Sequence, residues 1–541
     1  MSAFRGTLRL TRLAARRDRV HLPIWILATA GLASAGAAAV IDEFPTEEGR
    51  VTALTGAVTS PAVLMMRGVP VGATEGALVN FRNLLSILVM AALMSTFLVV
   101  RHTRQNEESG RAELVGAGVV GRYANLAAAL LLAVIANVLL GAFVIAALLG
   151  AGLPAAGSVA FGAATTVVGL SFAGIAALCA QLFVSARAAN ATAATAIGVA
   201  FVVRGIGDAL GEINADGFTV TSGWPVWLSP IGWGEQVLPF GEERWWPLAL
   251  PLVLFVALAA AAFALVDRRD VGAGLVSARL GPPAARRGLL SPEGLAWRLN
   301  RSSVWGWVVG GAVMGFGIGS LGDTVNKSFD ANQGVTGLLE QLAGTGAPNL
   351  VELLYASMMN VFGALAAGFA VQTLLRLRSE ETAGHAEAVL STATGRVRWA
   401  AAHLLTAIVG TVAFLVVSGA AMGLADLIVG GGVGVGPLIG AGLAQTPAAL
   451  AVAGFVVLAF GALPRLTVPL AWLGLAVAIG FGLLGDVFGL PQAVRDVSPF
   501  SHVPAIPAVD PSATPLLALS GAATALVVVG LALFRRRDLA P

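Results

Sequence analysis

Apolar residues in this chain neither alternate nor keep to one helical face; they run on for about twenty positions at a time. Short arginine-rich, glutamate-rich or proline-rich segments separate the runs. A run of that length crosses a hydrocarbon core of ~30 Å as a helix. A transmembrane barrel would need alternating strands of about ten residues, and the pattern has none. Twelve spans are predicted. Those of the first half are at approximately 21–41, 78–100, 123–150, 157–184, 188–208 and 246–266. Those of the second are at approximately 303–321, 351–375, 398–428, 436–461, 465–486 and 513–534. No segment between them is long enough for a sizeable soluble domain. The pattern predicts an all-α integral membrane protein.

Composition agrees. The 541 residues are 57% hydrophobic and 12% charged, against about 25% charged in soluble domains. Charge then orients the spans. Of the 33 lysines and arginines, 26 fall in the N-terminus, 101–122, 185–188, 267–302, 376–398, 462–465 and the C-terminus. The others are Arg50, Arg67, Arg82, Arg204, Arg244, Lys327 and Arg495. The positive-inside rule places the first group, with both termini, in the cytoplasm of a multi-pass protein of the cell inner (plasma) membrane. Arg16, Arg17 and Arg19 before the run His21–Ile41 imitate a signal peptide. The second half also begins with arginines, Arg298 and Arg301, ahead of a span, and an internal copy cannot be a signal peptide. The first run is therefore a retained span.

The polar segments repeat. Glu107-Glu108-Ser109-Gly110-Arg111-Ala112-Glu113 recurs as Glu380-Glu381-Thr382-Ala383-Gly384-His385-Ala386-Glu387. Leu228-Ser229-Pro230 recurs as Val497-Ser498-Pro499, and Asp267-Arg268-Arg269-Asp270-Val271 as Arg535-Arg536-Arg537-Asp538-Leu539. Arg187 and Asp208 recur as Arg465 and Asp486. The shifts are 268 to 278 residues. A long internal period sets the architecture. Here it gives two parallel six-helix repeats, 1–270 and 271–541, of the same orientation because each has an even number of spans.

Candidate chemistry is sparse. Lys327 is the single lysine, and Asn326 stands where a P-loop requires glycine, so the chain carries no such motif for hydrolysing ATP. Cys179 is alone in an apolar run. His21, His102, His385, His403 and His502 are scattered, and no metal or catalytic spacing appears. No enzyme activity, metal or nucleic-acid partner is expected. The two acidic segments stand out because they recur at the same place in each half. If each is a short helix, Glu108 lies beside Arg111 and Glu381 beside His385. Their other carboxylates suit a basic cleft on a partner. Segments 1–20 and 287–302 have the arginines and apolar residues of short interfacial helices, the second with Ser291 as N-cap and Pro292 in its first turn. The segment with Trp224, Trp227, Trp233, Trp245 and Trp246, and its counterpart with Pro491, Pro499, Phe500, Pro504 and Pro507, read as an outer gate or an aromatic belt. Arg82, Arg204, Asp208, Glu352, Asp426 and Asp486 lie near span ends. None falls at mid-depth, which argues against a proton relay.

On these residues each half resembles the six-span membrane domain of ABC exporter permeases. The matching elements are an interfacial helix, a glutamate-containing segment after the second span, a short turn after the fourth and an outside Ser-Pro before the sixth. The fused twelve-span form is similar to actinobacterial exporters of drugs and polyketide antibiotics. The resemblance implies a permease subunit that exports hydrophobic small molecules across the lipid bilayer, with two copies of a separately encoded ABC ATPase. ATP and Mg would sit on those partners, and this chain would bind no cofactor. It implies that Glu107, Glu108, Arg111 and Glu113, with Glu380, Glu381, His385 and Glu387, form the coupling helices. Spans two and five of each half would line the path. In the first half these contribute Asn80, Phe81, Met90, Met94, Asn190 and Phe201. In the second they contribute Tyr355, Met359, Asn360, Phe362 and Trp472. Two other classes fit the pattern: an ion-coupled transporter, and a scaffold or sensor working through its outside loops. A lipid or cell-wall precursor would suit the same exporter.

Overall fold

A computed structural model describes residues 3–270, 272–276, 283–322, 350–483, 485 and 490–539. Lys327 and Asp486 lie outside these. Among the described residues, twelve helices are long and apolar enough to cross a membrane. They are α1 (His21–Glu43), α2 (Glu75–His102), α3 (Ala124–Gly150), α4 (Ala155–Leu182), α5 (Ala186–Ala209) and α6 (Ala249–Val266). The second set is α7 (Pro292–Gly319), α8 (Leu350–Thr382), α9 (Arg396–Val429), α10 (Val435–Ala462), α11 (Thr467–Gly482) and α12 (Ala513–Arg536). The chain divides into two compact units, Met1–Gly281 and Pro282–Pro541.

Each unit uses one packing scheme. α4 packs on α2, α3 and α6, and α10 packs in the same way on α8, α9 and α12. The first helix of each set leans on the third, α1 on α3 and α7 on α9. The outer helices turn large apolar side chains outward. α6 buries only Pro251 and Ala262, while Val253 and Val256 are 65% and 58% exposed. An apolar surface of that extent is stable against acyl chains, not water. Many of the residues buried between helices are small: Gly157, Ser158, Ala160, Gly162 and Ala164 recur along α4. Small residues let backbones approach where lipid removes the hydrophobic drive between helices.

α7 approaches α9 closely. A Cβ on Gly315 would collide with the carbonyl oxygen of Ser418, and one on Gly319 with that of Met422, whereas Gly310 faces open space. Gly315→Val is therefore expected to cost at least the about 1–3 kcal/mol typical of overpacking, because the obstacle is backbone. Gly310→Ala should leave the thermal midpoint of the detergent-purified protein unchanged. Equal midpoints for both variants would refute this account of the seam.

The two amphipathic entries differ. Thr7–Arg17 is a separate helix. Pro23 in the first turn of α1 explains the break, since a proline inside one continuous helix would clash with the carbonyl four residues back. The second segment was expected to be separate as well. Ser291 does accept from the Gly294 amide at 3.1 Å as N-cap, but the helix then runs unbroken to Gly319. No proline follows Pro292 to stop it.

Candidate functional site

The arginine-rich end of each unit is built around one glutamate. In the first unit α2 ends at His102, and two short helices follow, Arg104–Glu108 and Arg111–Gly116. Gly110, at φ 69, turns the chain between them, a conformation that glycine adopts without steric cost. Arg269, beyond α6, grips Glu107 bidentately at 2.7 and 2.8 Å, and Arg104 adds a third contact at 2.8 Å. Arg104 is fully buried. It also donates to the carbonyls of Ala180 at 2.9 Å and Ala273 at 3.0 Å. Glu107 thus joins the exits of α2, α4 and α6.

The second unit repeats the device. Gly384, at φ 73, ends α8 and starts the helix His385–Leu390. Arg537, beyond α12, holds Glu381 at 2.6 and 3.0 Å, and Arg378 holds it at 3.1 Å. Where Arg104 meets the end of α4 through a carbonyl, Arg537 lies over the rings of Phe460 and Phe534, 4.9 and 5.0 Å from their centroids.

This geometry changes the register read from sequence. The Glu-Glu pairs suggest that Glu107 matches Glu380. The clamps instead pair Glu107 with Glu381, in the register that the sequence already gives to Gly110 with Gly384 and Arg111 with His385. The two glutamates at the heart of the segments are nearly withdrawn from solvent, their side chains 8% and 2% exposed. The other two differ. Glu108 accepts from the Ala186 amide at 2.8 Å, at the start of α5. Glu380 contacts Arg376 at 3.2 Å and His385 at 3.4 Å. Because the glycines interrupt each helix, Glu108 and Arg111 are not on one helical face, nor are Glu381 and His385. Arg111, Glu113, His385 and Glu387 are exposed, as is Leu114 at 80%.

The amphipathic helix Thr7–Arg17 packs on α3 and is tied to the same end. Phe4 meets Tyr123 and Phe263 at centroid distances of 5.4 and 5.8 Å. Asp18 bonds His102 at 2.6 Å and Arg101 at 3.2 Å. Burial alone would raise the Asp18 pKa, but the hydrogen bond and charge of His102, with Arg101, hold it below the usual carboxylate value.

At the opposite end the Ser-Pro repeat is structural. Ser229 donates to the Ala200 carbonyl of α5 and caps the helix Pro230–Glu235. Ser498 donates to the Ala478 carbonyl of α11 and caps the short turn Pro499–His502. Beside Ser229 lies a buried charge cluster. Arg204 bonds Asp208 at 2.7 Å and the Met65 carbonyl at 2.7 Å, and Ser222 donates to Asp208 at 2.7 Å. Glu235 accepts from the Val69 amide at 3.0 Å, but its other oxygen stands 3.8 Å from Arg204 Nε, beyond hydrogen-bond reach. Burial, with the charge of Asp208, holds the Glu235 pKa well above the usual 4.5. Arg204 and Asp208 thus lie deep in the unit, not at its surface. Glu235 was missed; the signal was an acid inside an otherwise apolar Pro-Ile-Gly-Trp-Gly segment. Asp426 is also buried. It accepts from Tyr355 at 2.8 Å and from the Val433 and Gly434 amides at 2.9 Å each, which makes it a cap for the turn between α9 and α10.

The residues expected to line a path divide into groups. Phe81, Met94, Tyr355, Met359 and Phe362 are buried in the cores of their units. Met90 is half-buried. Phe201 lies beneath the Arg204 guanidinium, and Trp472 is exposed. Asn360 accepts from Gln445 at 3.1 Å. Asn80 and Asn190 each hold a buried amide oxygen with no partner among the described residues.

Comparison with known proteins gives two matches. Residues 289–535 match the family described as the C-terminal domain of the multidrug efflux system permease Rv1217c. The whole chain is similar to the multidrug efflux system permease protein Rv1217c of Mycobacterium tuberculosis. They are 40% identical over 99% of this chain and 96% of that protein.

Proposed function

The chain belongs to the multidrug efflux permease family of Rv1217c, and from that premise we propose that it is the permease subunit of an ATP-driven exporter of hydrophobic drugs or polyketide antibiotics. The full-length similarity carries this reading. Two copies of a separate ABC ATPase would hydrolyse ATP, with Mg, beneath the arginine-rich ends. Those ends and both termini would be cytoplasmic, in the plasma membrane. The ATPases would touch Arg111, Glu113 and Leu114 in one unit and His385 and Glu387 in the other, since these side chains are exposed. Glu107 and Glu381 act as struts in this reading. They would pass movement of the coupling helices to the exits of α6 and α12. The amide oxygens of Asn80 on α2 and Asn190 on α5, without a partner among the described residues, are polar groups that a substrate would meet in this reading.

Co-expression with an ATPase encoded in the adjacent reading frame tests the proposal. The two proteins should co-purify, and inverted vesicles holding both should accumulate a hydrophobic fluorescent drug only with ATP. Accumulation driven by a proton gradient in vesicles holding this chain alone would overturn it in favour of an ion-coupled transporter.

A further inference from the structure

A cavity of about 950 Å³ opens at the arginine-rich end of the first unit, between the helix Thr7–Arg17, the coupling helix and the start of α3. Its wall is apolar along one stripe of the amphipathic helix, where Leu10, Leu13 and Ala14 line it, and on the facing side, where Leu126 and Val266 do. One turn past Leu13 and Ala14 the same stripe ends in Arg17. Arg111 of the coupling helix lines the cavity too. The charges do not balance: Arg16, Arg17, Arg111, Arg122 and Arg269 line it against two carboxylates, Glu107 and Asp270. Glu107 is taken by Arg104 and Arg269, and Arg122 is paired with Asp267 at 3.1 Å. Arg17 reaches only the neutral Asn106, at 2.6 Å. Neither Arg17 nor Arg111 has a carboxylate partner among the described residues. Burial lowers the Arg17 pKa, and the charges of Arg111 and Arg101 lower it further, only partly offset by Asp18. Two crowded guanidiniums above an apolar wall complement an amphiphile with an anionic head.

We propose that this cavity holds one anionic phospholipid of the membrane, its phosphate between Arg17 and Arg111 and an acyl chain along Leu10, Leu13 and Leu126. Among the described residues the arrangement is particular to the first unit. The second has His385 at the position of Arg111, and its amphipathic entry runs straight into α7, so the bracket of helix and coupling segment is not repeated. A bound lipid would brace the interfacial helix against the coupling helix, whatever compound the protein carries.

Native mass spectrometry of the purified full chain, titrated with phosphatidylglycerol or phosphatidylcholine, reads the site directly. One phosphatidylglycerol per chain should be retained in preference to phosphatidylcholine. Each arginine at an anionic head contributes roughly fivefold, so Arg17→Gln with Arg111→Gln should weaken retention roughly 25-fold. Leu13→Glu, at an exposed position that tolerates change, should weaken it as well by placing a carboxylate on the acyl wall. Arg298→Gln with Arg301→Gln in the second unit should have no effect. Equal loss in that control would mean general surface attraction and would overturn the site. So would displacement of phosphatidylglycerol by millimolar inorganic phosphate, which would mark a site for a soluble anion. Unchanged lipid retention in the Arg17/Arg111 variant, with loss of ATPase co-purification, would reassign the surface to protein docking.

Discussion

Replacing Arg204 with methionine is expected to destabilise the chain by about 3–5 kcal/mol, the usual result of removing one partner of a buried pair. Arg204 and Asp208 are both fully buried, so the change would leave the Asp208 carboxyl buried without its counter-ion. The loss should appear as a lower thermal midpoint of the detergent-purified protein. Restoring balance with Asp208→Asn and Glu235→Gln in the same chain should recover most of it. A midpoint unchanged in the single variant would show that the pair is not buried as described.

Glu235 gives the cluster a pH signature. Its carboxyl stays protonated well above 4.5 because it is buried, with the charge of Asp208 adding to the effect. Between the unfolded and folded values the native chain binds a proton that the unfolded chain has released. Stability from this group is therefore complete at or below about pH 4.5 and is lost as pH rises through the folded value. Glu235→Gln keeps a neutral side chain, so it should be nearly neutral at acidic pH and should flatten the decline above it.

The second large effect is expected at the clamps. Glu107→Ala leaves the guanidiniums of Arg104 and Arg269 without the carboxylate that both share, and Glu381→Ala does the same to Arg378 and Arg537. The strap after α6, where the Val276 amide bonds the Leu182 carbonyl at 2.8 Å, should then open, and hydrogen exchange at 272–276 should rise. Drug efflux by the double variant should fall at least tenfold, the scale of about 1.4 kcal/mol that a severed strut readily exceeds. Glu108→Ala removes a single cap to α5 and should do much less. If Glu108→Ala alone matched the double variant, the adjacent glutamate would be the coupling group and the clamps mere packing.

The twelve helices were legible because a lipid solvent imposes them. Every span must satisfy its own backbone and present an apolar surface, and both requirements are written in consecutive residues. The duplication was legible too, since Ser229 and Ser498, or Arg269 and Arg537, survive as local motifs. What each does was not. Arg269 meets Glu107 across 162 positions, and Arg537 meets Glu381 across 156. Nothing local distinguishes the first glutamate of a pair from the second. The repeat shift also changes along the chain, by one residue between the Glu-Glu pairs and the glycines that follow them, so the sequence leaves the partner of Glu107 ambiguous between Glu380 and Glu381. Arg204 and Asp208 lie near a span end in the sequence, a position that does not distinguish an exposed charge from a buried one. Segments 61–69 and 222–235 fold over them, and burial of that kind depends on the path of the loops. Twelve membrane-length apolar runs, the repeated segments and the lack of a P-loop glycine before the single lysine can all be read from consecutive residues. Which glutamate is clamped, which charges are sealed from solvent and which arginines lack a carboxylate partner among the described residues emerge only in the folded chain, because they depend on contacts between residues far apart in sequence.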